Sequence, residues 1–146
     1  MPRMGPTKGR SQIERGLADM SPPAPEPQTR WSPDPGTVED WPFVLPLLGP
    51  RQIIGRQGLD KETRRLSEFS MSAQLNVAGH WYEVARVDTC HEEVHLHVFS
   101  RAGKELSRQV LLPICGPKDV DRGYELGEKM LVEGWEEHER RWRRGY

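Results

Sequence analysis

Between Glu68 and Leu75, the polar residues Glu68, Ser70, Ser72 and Gln74 alternate with Phe69, Met71, Ala73 and Leu75. This period of two predicts a strand buried on one side. Three further runs, His80 to Asp88, Glu93 to Ser100 and Lys104 to Leu112, are rich in β-branched or aromatic residues and predict three more strands. The links are short, which predicts an antiparallel meander. Val77-Ala78-Gly79 and Arg101-Ala102-Gly103 suit three-residue hairpin loops with glycine in the left-handed position, and residues 89–92 a four-residue link.

These loops set a register that can be compared with hydrophobicity. Pairing Asn76 with His80 and Ser100 with Lys104 gathers Phe69, Met71, Ala73, Leu75, Trp81, Ala85, Val87, Val94, Leu96, Val98, Leu106, Val110 and Leu112 on one face. Glu83 and Arg108 are the exceptions on it. The other face takes Ser70, Arg86, His95 and Gln109 in one row, Ser72, Val84, His97 and Ser107 in the next, and Gln74, Tyr82, Phe99 and Glu105 in a third.

From about Lys118 to Arg144 the period changes to that of a helix. Val120, Tyr124, Leu131, Trp135, His138 and Trp142 form its apolar stripe, and Leu126 and Met130 lie nearby. Gly123, Gly127 and Gly134 each cost about 1 kcal/mol relative to alanine inside a helix, which predicts compensation by close packing on the sheet.

The N-terminal part has no such periodicity. Eleven of the 13 prolines fall within the first 50 residues, which predicts an extended, disordered tail over 1–40. Residues 41–65 open with the apolar but proline-broken WPFVLPLLGP and are expected to form an arm and linker, with a helical turn in LDKETRRL. The predicted architecture is α+β: a four-stranded antiparallel meander at 66–146, with one long C-terminal helix on its Trp81/Leu96/Val110 face.

Charge narrows the function classes. Residues 1–65 carry 10 Lys+Arg against 8 Asp+Glu, and 66–146 carry 11 against 14. The folded part is mildly acidic, which disfavours nucleic-acid binding through bulk charge. No apolar run approaches the ~20 residues that span a bilayer, and the start lacks the apolar core of a signal peptide, so a cytoplasmic, non-membrane protein is expected. Cys90 and Cys115 are too few for a disulfide framework.

The most suggestive chemistry is His95-Leu96-His97. As a metal site it needs a third ligand, and the predicted register places no carboxylate beside both histidines. The glutamate of a cupin-type motif is missing, since Arg101 and Ala102 occupy its positions. Cys90, His91 and Cys115 form a looser candidate group, and no cofactor is expected. As a catalytic constellation, His95 and His97 with Arg86 and Tyr82 would suit metal-independent RNA cleavage of the toxin type. As a binding face, Tyr82, Arg86, His95, His97, Phe99 and Gln109 would suit unpaired bases or a protein partner. Arg140, Arg141, Arg143 and Arg144 complement the helix C-terminus and are candidate phosphate contacts. The favoured expectation is a non-catalytic interaction domain with a protein partner.

The blocks VARVDTCH, VHLHVF, DVDRGY and WEEHERRWRRG, in this order, resemble a small uncharacterised actinobacterial family over roughly residues 66–145. The resemblance implies a bacterial origin and no catalytic residue.

Overall fold

The computed structural model describes residues 29–145. The described residues form six strands and two helices: β1 (Val38–Pro46), β2 (Arg51–Asp60), β3 (Leu66–Val77), β4 (His80–Cys90), β5 (Glu93–Phe99), β6 (Glu105–Pro113), α1 (Pro117–Glu133) and α2 (Trp135–Arg144). The six strands make one antiparallel sheet in sequence order. The α+β class and the meander hold, but the sheet is larger than the periodicity predicts, and the segment expected to be one C-terminal helix is two.

The extra strands come from the stretch expected to be an arm and linker. Phe43 pairs with Gly55, and Ile53 with Ala73, where Ile53 is part of the core. Pro42 and Pro46 hide this strand in the sequence, but β1 is an edge strand, where a missing N–H is tolerated. In β2, Gly55 gives up a side chain because a Cβ there would lie 2.3 Å from the Ser70 carbonyl oxygen and 2.8 Å from the Phe43 ring. LDKETRRL turns as expected, with Asp60 Oδ1 accepting from the Glu62 and Thr63 amides; these two hydrogen bonds hold its carboxyl below the usual value. Of the tail, residues 1–28 lie outside the described part. Residues 29–37 belong to the domain: the Trp31 amide donates to Ile114 and its side chain packs on the core.

Two glycines seat α1 on the sheet. A Cβ at Gly123 would lie 2.5 Å from Val94 Cγ2, and one at Gly127 would lie 2.7 Å from Val87 Cγ1 and 2.9 Å from Met71 Cε. The expected compensation is therefore found at both. Gly134 differs, because it separates α1 from α2 and its Cβ would meet the Met130 carbonyl oxygen at 2.5 Å. The predicted stripe is the buried face of both helices, including Val120, Leu131, Trp135, His138 and Trp142.

The sheet departs from the predicted register at bulges, and the departures remove its two exceptions. Asn76 pairs with Trp81 across a two-residue turn, Ala78-Gly79, with φ of 55° and 85°. The register then shifts between Ala73 and Gln74, leaving Val84 without a partner. In β6 a shift between Val98 and Phe99 leaves out Leu106. Glu83 and Arg108 thereby leave the helix-covered face for the open one, which avoids the cost of burying a charge. Tyr82 moves the other way, onto Trp142 of α2, with ring centroids 5.2 Å apart. Trp81, Leu106 and Val110 are 41%, 43% and 49% exposed and are not core residues.

Candidate functional site

The turn between β4 and β5 also differs from expectation. His91 and Glu92, at φ of 53° and 62°, close a two-residue turn instead of a four-residue link. The register moves by two residues, so His95 and His97 keep their predicted face, away from the helices. Their partners change: Asp88 stands opposite His95, and Arg86 opposite His97.

This shift brings a carboxylate to both histidines, correcting the expectation that none lies there. Ligating atoms of Asp88, His95 and His97 lie within 4.8 Å of one another. His97 Nε2 is 2.9 Å from Asp88 Oδ1, and its Nδ1 pairs with Glu105 Oε1. An ionised carboxylate only accepts, so each one takes a hydrogen from the His97 nitrogen that it faces. The hydrogen bond from His97 holds the Glu105 carboxyl below its usual value. His95 Nε2 is 3.2 Å from Glu93 Oε1, whereas its Nδ1 is buried without a hydrogen-bond partner among the described residues.

Both imidazoles are enclosed, with side-chain exposures of 3% for His95 and 7% for His97. They are not half-exposed strand residues. Phe99 stacks on His97 at 6.3 Å, and the Arg86 guanidinium lies 5.1 Å over the Phe99 ring. Arg86 also pairs with Glu83 and Asp88, each at 3.0 Å. Burial opposes its charge, but these two carboxylates outweigh burial and raise its pKa. Glu83 in turn accepts from Ser72 Oγ at 2.7 Å. The open face thus carries one connected network, from Ser72 through Glu83, Arg86, Asp88 and His97 to Glu105.

The other predicted site residues are dispersed. Tyr82 lies on the helix side, so the His/Arg/Tyr constellation for RNA cleavage is not assembled, and Phe99 is itself buried, which leaves no open ring of the Tyr82–Phe99 pair for base stacking on that face. Gln109 pairs with Leu96 and faces the helix side as well. Around the histidines stand Glu83, Asp88, Glu93 and Glu105, whose charge repels a phosphodiester. Cys90 and His91 line a cleft of about 160 Å³ with Trp31 and Ile114. Cys115 lies in a different cleft beside Asp119, which accepts its amide at 2.8 Å. The two cysteines are free and, with His91, form no ligand group among the described residues.

Three of the four terminal arginines are engaged within α2, and Arg144 is exposed beside them. Arg140 pairs with Glu137, Arg143 with Glu139 at 2.8 Å, and Arg141 donates to His138 Nδ1 at 3.1 Å. Among the described residues, no helix is long and apolar enough to cross a membrane.

No curated protein and no solved structure matches the chain. A family match does extend over residues 28–146, further toward the N-terminus than the resemblance expected from 66 onward, and in accord with β1 and β2 being part of the domain. The chain belongs to the family described as "Domain of unknown function (DUF7718)".

Proposed function

We propose that the chain is a non-catalytic interaction domain whose open sheet face docks a basic segment of a protein partner. The observation that carries this reading is the charge of that face. Asp40, Glu68, Glu83, Asp88, Glu93 and Glu105 outnumber Arg56, Arg86 and Arg108 there, even with Arg30, which pairs with Glu93, added to the cations. Beside this acidic field, the directly paired Val44 and Ile54 are exposed near the β1 edge and offer an apolar foothold. A cationic segment with one or two apolar side chains matches both parts, whereas nucleic acid meets repulsion. A cytoplasmic bacterial setting belongs to this reading, supported by two free thiols.

The test is capture of partners from the protein's own cells by the full chain and by folded variants. Ile54→Glu, on the open face, is expected to abolish capture, and Val132→Glu, on the outer side of α1, to leave it intact. Capture should weaken as salt rises. Equal capture by the two variants would overturn the assignment of the face.

A further inference from the structure

Asp88, His95 and His97 combine a ligand set with an unsatisfied lone pair. Glu93 accepts a hydrogen bond at His95 Nε2, so the neutral imidazole carries its hydrogen there and leaves Nδ1 as the electron-pair donor. That Nδ1 is buried and unpartnered, in a side chain whose strand partner is Asp88. A buried acceptor with no donor costs free energy unless something fills its place. A cation would do so, and the surrounding carboxylates of Glu83, Glu93 and Glu105 favour one.

We propose that Asp88, His95 and His97 bind a divalent transition metal of the zinc class on the open sheet face. Two imidazoles and a carboxylate are a ligand set that zinc accepts, with bonds of about 2.0–2.2 Å, which places tetrahedral ligand atoms roughly 3.3–3.5 Å apart. The separation of 2.9 Å between His97 Nε2 and Asp88 Oδ1 is close to that spacing, and the bound of 4.8 Å on the whole group closes with side-chain rotations of about an ångström. On binding, the hydrogen that His97 Nε2 gives to Asp88 leaves as a proton, and the freed lone pairs of nitrogen and oxygen turn to the metal. The fourth position falls to water, while Glu105 holds the other ring nitrogen, Nδ1, and orients His97 toward the metal. Glu93 is a positioning residue that acts through His95. This inference does not depend on the partner reading, because it concerns the isolated chain.

The test uses the full chain, purified without a polyhistidine tag and stripped with a chelator, then titrated with Zn²⁺ alone against a chromophoric competitor. The expected result is saturable binding of one Zn²⁺ per chain, with Co²⁺ giving the visible absorption of a low-coordinate nitrogen/oxygen site. Asp88→Asn, His95→Gln and His97→Gln should each weaken binding by at least about tenfold, and Glu93→Gln by about tenfold, while a Cys90→Ser, His91→Gln, Cys115→Ser triple variant binds as the parent does. Should a ligand variant fail to fold, imidazole nitrogen spectra of the parent chain decide the matter: Zn²⁺ must shift His95 and His97 and leave His80 and His91 in place. Absence of saturable binding, loss of it in the triple variant, or shifts confined to His80 and His91 would overturn the proposal.

Discussion

Gly123 of α1 stands against Val94 of β5 with no room for a methyl group between them, since a Cβ would lie 2.5 Å from Val94 Cγ2. Alanine improves helix propensity by about 1 kcal/mol, but it wedges the helix off a core in which Val94 is fully buried. Overpacking costs typically about 1–3 kcal/mol, so Gly123→Ala should destabilise the domain on balance. Urea unfolding followed by circular dichroism checks this, and a midpoint at or above the parent's would contradict the close seating.

Trp142 and Trp81 separate the two faces of the sheet. Trp142 is 2% exposed and meets Tyr82, so Trp142→Ala should cost about 3–5 kcal/mol. Trp81 stands on the open face beyond the Val84 bulge, and its replacement by alanine should cost less than about 1 kcal/mol. Equal losses in thermal denaturation would mean that Trp81 is a core residue after all.

His138 confers a pH dependence whose sign follows from its surroundings. Burial, and then the neighbouring Arg141 charge, push its pKa below the ordinary 6.5. The unfolded chain therefore takes up the proton first as pH falls. The stabilisation is fully present above about pH 6.5 and is lost as pH drops from there through the depressed folded value. Protonation also removes the Nδ1 lone pair that accepts from Arg141. Between pH 7.5 and 5.5, the parent should lose more unfolding free energy than His138→Gln; parallel losses would count against this account.

A chain that begins at residue 66 should not fold. It lacks Ile53, which is fully buried against Ala73, and it exposes the long edge of β3 that β2 otherwise covers. Such a chain is expected to show collapsed, poorly dispersed amide spectra or to aggregate. A well-dispersed spectrum would restore the domain boundary that proline content alone suggests.

Legibility in the sequence followed the strength of local periodicity. The alternation through Phe69, Met71, Ala73 and Leu75 and the helical stripe through Trp135 and Trp142 each repeat over several turns or pleats, and both lie where predicted. β1 and β2 were illegible because Pro42, Pro46 and Gly55 read as breakers; only an edge position and the close approach of Phe43 make them compatible with strands. The bulges at Val84 and Leu106 carry no turn residue to mark them. They follow from the energetics of keeping Glu83 and Arg108 in water.

The sequence by itself determined that His95 and His97 share a face with each other and not with Val94 and Leu96, because side-chain direction in a strand alternates whatever the strand pairs with. Only the tertiary structure decided what stands beside them. The tight turn at His91-Glu92, made without glycine, moved β4 by two residues, preserving parity while exchanging Arg86 for Asp88 opposite His95. An even shift is invisible to hydrophobic patterning, yet here it turned a pair of histidines suited to an anion into a site suited to a cation.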